Sequence, residues 1–144
     1  MNSIRERIQR TCLDTLKKAL TPVPVWRYPT APINREASPA LLLMTESDVV
    51  LARVNDRVER ALSIRLVAIT RGRDAFEQAD RLAVAAHTAL MRDANVGGLA
   101  YALLEIDAEW DAEDADAGAV ALPLRYEVRY RTHIHDLTRD GSVL

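Results

Sequence analysis

The chain has few of the residues that specialised small proteins depend on. Cys12 is its one cysteine among 144 residues, so neither an internal disulfide nor a cysteine-built zinc cluster can form. No apolar run approaches the roughly 20 residues that a membrane helix needs. The opening MNSIRERIQR carries charges where a signal peptide requires an apolar segment, which points to a protein made and kept in the cytoplasm. Lysine is scarce, with Lys17 and Lys18 set against 17 arginines. A net charge of −2 and a pI near 5.9 give no global attraction to nucleic acid or anionic lipid. Any basic surface must therefore be local. The sequence also lacks a nucleophile elbow, a Walker loop, a dinucleotide fingerprint and a zinc-protease motif. Gly97-Gly98 follows a helical segment rather than opening one, so it cannot cradle a phosphate at a helix N-terminus. Nothing in these residues argues for an enzyme or a bound cofactor.

The chain does carry a globular composition, 49% hydrophobic and 28% charged, in a length suited to one domain over residues 1–144. Ser3 and Glu6 fit a capping box, and Ile4, Ile8, Cys12, Leu16 and Leu20 recur every four residues. This spacing predicts a first amphipathic helix, stopped by Pro22 and Pro24. VPVWRY, residues 23–28, reads as a short edge strand because Pro24 cannot donate to a ladder. Residues 29–39, with three prolines, read as a loop or arm. Residues 40–45 suggest a strand. Residues 45–56 are open between a further strand and a mobile loop, and are taken as a loop.

Residues 57–71 alternate, with Val58, Leu62, Ile64, Leu66 and Ala68 on one face and Arg57, Glu59, Ser63 and Arg65 on the other. Gly72 breaks that strand. Asp74 to Glu77 repeats the capping pattern for a second helix, with an expected apolar stripe of Phe76, Ala79, Ala83, Ala86 and Leu90. DANVGG, residues 93–98, is a strong stop. Residues 99–111 alternate again, with Leu104, Ile106, Ala108 and Trp110 expected inward. An acidic hairpin over residues 111–118 leads to LPLRYEVRYRTHIHDL, residues 122–137. There Leu122, Leu124, Tyr126, Val128, Tyr130, Thr132 and Ile134 share one face, and Arg125, Glu127, Arg129, Arg131, His133 and His135 the other. Pairing of these last two strands sets Glu105, Asp107 and Glu109 across or diagonal to Arg125, Glu127 and Arg129. The expected fold is α+β, a mostly antiparallel sheet with two amphipathic helices packed on one face, and residues 136–144 form a tail.

Three clusters of side chains could carry chemistry. His133 and His135 share a strand face, but a mononuclear metal site needs a third ligand that only distant His87 or scattered carboxylates could supply. No metal site is expected. The acids from Asp107 to Asp116 lack the glycine and closing glutamate of an EF-hand loop, so they read as a solvated hairpin. Cys12 falls on the buried stripe and reads as inert packing. The arginines remain. They are interleaved with acids, which fits a solvated face, and Arg53, Arg57, Arg60, Arg71, Arg73, Arg125, Arg129 and Arg131 are the candidates for an interface with carboxylates of a neighbouring subunit.

Taken together, the leading amphipathic helix, the Trp-Arg-Tyr strand, the long strand over 57–71, the alanine-rich helix and the RYEVRYRT ending resemble the tail-terminator and minor tail proteins of long-tailed bacteriophages. The resemblance covers nearly the whole chain in order of elements and contains no catalytic motif. It implies a non-enzymatic virion protein, assembled in the host cytoplasm and located in the virion tail. Such a protein forms a ring, usually a hexamer, that caps the tail tube, ends its polymerisation and joins the tail to head-completion or connector proteins. It further implies that residues 57–71 and 122–134 build the sheet, that loops 29–39 and 45–56 reach a neighbour or the tube protein, and that DNA passes transiently through the lumen at most. Two rivals stand beside it. One is a small dimeric, chaperone-like binding module, and the other is a metal-dependent enzyme using His133 and His135.

Overall fold

A computed structural model describes residues 1–27, 38–112 and 118–141. The end of the expected 23–28 strand and most of the 29–39 arm (residues 28–37), the middle of the expected 111–118 acidic hairpin (residues 113–117) and the last residues, 142–144, lie outside the described residues. Helix α1 (Ile4–Leu20) is followed by strands β1 (Val25–Arg27), β2 (Ala40–Val54) and β3 (Arg57–Arg71), helix α2 (Ala75–Met91), and strands β4 (Ala102–Ala108), β5 (Asp111–Ala112) and β6 (Ala119–His133). The strands form one sheet in the order β1-β2-β3-β6-β4, with β5 also on β6. Only β1 runs parallel to its neighbour. The result is the expected α+β fold, a mostly antiparallel sheet with both helices over one face.

Local chemistry explains the elements. Ser3 Oγ accepts from the Glu6 amide at 3.1 Å and starts α1. Glu6 does not close the box, because its carboxylate is drawn to Arg27 at 2.6 and 2.7 Å. Ile4, Ile8, Cys12, Leu16 and Leu20 are all buried, as their spacing predicts. β3 and β6 pair along their full lengths, from Arg57 opposite His133 to Arg71 opposite Ala119. Leu62, Ile64, Leu66, Leu124, Tyr126 and Val128 thus stack under the helices as the centre of the core. Each such aliphatic side chain contributes roughly 1.5–3 kcal/mol on burial.

Five expectations are corrected. Residues 45–54 are strand, not loop: β2 pairs with β3 out to Val54, and only Asn55 and Asp56 turn the hairpin, with Asn55 at φ 57°. Register shifts between Thr45 and Ser47 and between Val50 and Ala52 interrupt the alternation that would have advertised this strand. In β4 the faces are reversed. Leu103 is buried, whereas Leu104, Ile106, Ala108 and Trp110 are exposed. An irregularity between Glu105 and Asp107 then sends Asp107 to the outer face.

In α2 the inward stripe is Ala75, Ala79, Leu82, Ala86, Ala89 and Leu90, so the alanines let the helix lie close to the sheet. Phe76 points outward, against Trp110 at 5.2 Å between ring centroids, and Asp74 makes no side-chain cap. Nor is the segment from Asp136 to Gly141 a free tail. Its carbonyls at Leu137, Thr138 and Gly141 accept from the Ile4 amide, Arg7 and Arg57 at 2.9, 2.6 and 3.3 Å. Gly141 is buried at φ 81°, where a Cβ would meet the Thr132 carbonyl oxygen at 3.0 Å. Only glycine fits this fold-back without strain.

Candidate functional site

The sheet has two faces of different chemistry, and the antiparallel register assigns every residue to one of them. Arg57, Glu59, Arg65 and Arg71 of β3 lie on the face away from the helices, opposite His133, Arg131, Arg125 and Ala119 of β6. Arg65 and Arg125 are direct cross-strand partners of like charge, an arrangement that needs acids on either side. The fold supplies them. Arg65 Nη2 donates to Glu46 at 3.4 Å, and Arg125 Nε donates to Asp107 Oδ1 at 2.7 Å with a second bond from Nη2 to Oδ2. That guanidinium holds the Asp107 carboxyl below the usual carboxylate range, and the pair raises Arg125 in turn. A hollow of about 380 Å³ lies between Arg65, Asp107, Glu109, Trp110, Pro123 and Arg125.

Further along the same face, Arg129 Nε donates to Glu127 at 2.9 Å and Arg131 Nε to Glu59 at 3.2 Å. Arg131 also lies over the Tyr101 ring, 4.3 Å from its centroid. The structure therefore gathers Arg57, Arg125, Arg129 and Arg131 onto one face but gives the last three carboxylate partners within the chain. Arg71 is half-buried at the end of β3, and Arg73 is exposed in the turn beyond it. Two candidates fall elsewhere. Arg60, opposite Tyr130, is on the helix side and donates to Thr132 Oγ1 at 3.0 Å. Arg53, opposite Val58, is exposed near the β2–β3 hairpin on that side and has no ion pair among the described residues. The expected complementarity of β4 and β6 reduces to Asp107 with Arg125, since Glu105 turns to the helix side and meets His87 Nδ1 at 3.2 Å.

A polar seam beneath α1 was not legible in the sequence. Asp48 of β2 faces the helices with its side chain only 6% exposed, accepting from Arg5 at 2.8 Å and from the Tyr130 hydroxyl. Burial, then the Asp48 contact, pushes the Tyr130 phenol well up. Beside it, Gln9 Oε1 accepts from Arg27 at 2.8 Å and from Thr45. Asp48 lies within the segment read as a loop, which hid it.

His133 and His135 sit side by side at the exposed end of β6, with the His133 ring accepting from the His135 amide at 3.1 Å. Among the described residues, no three His, Cys, Asp or Glu side chains group as metal ligands, and no helix is long and apolar enough to cross a membrane. His87 is half-buried against the Tyr126 hydroxyl, 2.8 Å away. Cys12 is buried, and burial followed by the charge of Asp93 pushes its thiol up to about 12.

No protein-family model matches this chain, and no curated protein does. A likeness is found among solved structures. One chain of the virion of a native gene transfer agent particle superposes with a TM-score of 0.52 at 13% identity, over 88% of this chain and 90% of that one. At that identity the likeness lies in the fold, and it spans nearly the full length of both chains.

Proposed function

We propose that this chain is a single-domain structural subunit of a phage-like particle, and more specifically a ring-forming tail terminator. In this reading the ring, a hexamer in the related family, caps the tail tube, ends its polymerisation and offers a surface to head-completion or connector proteins. The observation that carries the proposal is the fold shared over almost the whole of both chains with a component of a gene transfer agent virion. The resemblance of the RYEVRYRT ending and the element order to tail-terminator proteins supports the finer assignment.

The chemistry of the surface is consistent with assembly rather than turnover. Its outer face is a lattice of arginines and carboxylates, which gives orientation and partner choice at protein interfaces. Closing a ring requires each subunit to present two different patches to its neighbours.

The test is the mass of the purified protein over a range of concentration and salt, by light scattering after size exclusion, with negative-stain images in the presence of tail tubes. Closed rings, or rings on tube ends, are the expected result. A salt-insensitive dimer that never closes would overturn the reading in favour of a dimeric binding module.

A further inference from the structure

Among the described residues, the sheet has two open edges. β1 covers β2 only from Leu41 to Leu43, so beyond Leu43 no described residue pairs with the outer side of β2. At the opposite end of the strand order, β4 is likewise paired only with β6 among the described residues. An open strand edge presents unpaired backbone N–H and C=O groups and recruits another strand unless it is blocked. Both edges also expose apolar side chains. Val49, Leu51 and Val54 are 51%, 47% and 60% exposed on β2, and Leu104, Ile106 and Trp110 are 40%, 50% and 48% exposed on or beside β4.

The register places these edges at one height. Ser47 is level with Ser63, Glu127 and Leu104; Asp48 with Leu62, Val128 and Leu103; Val49 with Ala61, Arg129 and Ala102. On β2 these levels start at Ser47, which bounds the Thr45/Ser47 irregularity, and stop short of Val50/Ala52; on β4 they lie before Glu105/Asp107. The senses agree as well. β2, β3, β6 and β4 alternate in direction, so β4 runs opposite to β2. Copies repeated side by side therefore bring β4 of one against β2 of the next as an antiparallel pair.

We infer that neighbouring copies of this chain join by sheet continuation, the open stretch of β2 from Ser47 in one subunit pairing antiparallel with β4 of the next. The occupant of each edge is thus a second copy, and the contact is heterologous, as a closed ring demands. The β2 irregularities limit flat pairing to a short segment, which fixes register and discourages unlimited edge-to-edge aggregation. This inference rests on the ring reading of the preceding subsection.

Cysteine cross-linking of the full chain separates the two. Ser47 and Leu104 are both exposed on the outer face at the same level, so Ser47→Cys and Leu104→Cys leave the core untouched, while native Cys12 is buried and gives little background. With a short thiol-reactive linker, the S47C/L104C double variant is expected to give a ladder of covalent oligomers ending at the ring size, while each single variant stays uncrosslinked. Rings that form normally in the double variant yet yield no ladder would overturn sheet continuation and leave the ring reading standing. Covalent dimers from S47C alone would show β2 pairing with itself and overturn the inference. Failure of the unmodified protein to form rings under any condition would remove the ring reading and this inference together. A Leu51→Lys variant supplies an independent arm: retained monomer fold with loss of rings is expected, and undiminished rings would count against the edge.

Discussion

Asp48 and Tyr130, 82 positions apart in sequence, share a hydrogen bond beneath helix α1, between strands that are not neighbours in the sheet. Arg5 reaches the same carboxylate oxygen from the helix at 2.8 Å. One side chain thus ties α1, β2 and β6 together.

Removing the Asp48 carboxylate leaves the Tyr130 hydroxyl without its partner and Arg5 without its counter-charge. Asp48→Ala is expected to cost about 2 kcal/mol in urea unfolding, below the value for a fully buried pair because Arg5 can rehydrate. Tyr130→Phe is expected to cost about 1 kcal/mol. An Asp48→Ala midpoint equal to that of the parent would show that the seam contributes nothing.

Alkaline stability follows from the buried acids of the core. Burial, then Glu105, raises Tyr126 from 10.0 to about 12, and burial raises Cys12 from 9.0 to about 12. The folded state holds these protons more tightly than the unfolded chain, so their contribution is complete below the unfolded values and is lost as pH rises through the folded ones. Unfolding free energy should fall between about pH 9 and pH 12, and Tyr126→Phe should flatten the part above pH 10. A flat profile across that window would contradict these placements.

Cys12 offers a direct probe of the first helix. Because its thiol is buried and raised, it should react with a thiol reagent at neutral pH only after global unfolding, with a rate that tracks denaturant. Rapid labelling of the native protein would mean that α1 detaches readily from the sheet.

The Arg125–Asp107 pair makes the opposite case. Both side chains are 41% exposed, so Arg125→Ala should leave monomer stability nearly unchanged despite the two-bond geometry. A large fall in the thermal unfolding midpoint would show that the outer face is structural in the monomer rather than available for assembly.

Much of the fold was readable from local pattern. β3 was delimited at both ends, and β6 within a few residues, because an uninterrupted alternation over 15 residues announces itself. The site was less legible. Arg125, Arg129 and Arg131 could be placed on a common face, but the partners Asp107 on β4 and Glu59 on β3 depend on cross-strand register. The register shifts in β2 hid a strand, and with it Asp48 and the open edge. The edge position of β4 removed the burial that would have made its inward residues the apolar ones.

By itself the sequence determined which residues of α1, β3 and β6 form the core, since a period of 3.6 or 2 is a property of neighbouring residues alone. It also determined the α+β class. Only the tertiary structure decided that β2 extends to Val54, that Leu103 rather than Leu104 faces the helices, and that Phe76 meets Trp110 outside the core. Those outcomes depend on hydrogen bonds and contacts between segments far apart in the chain. For the same reason, the common height of the β2 and β4 edges has no signature in either strand.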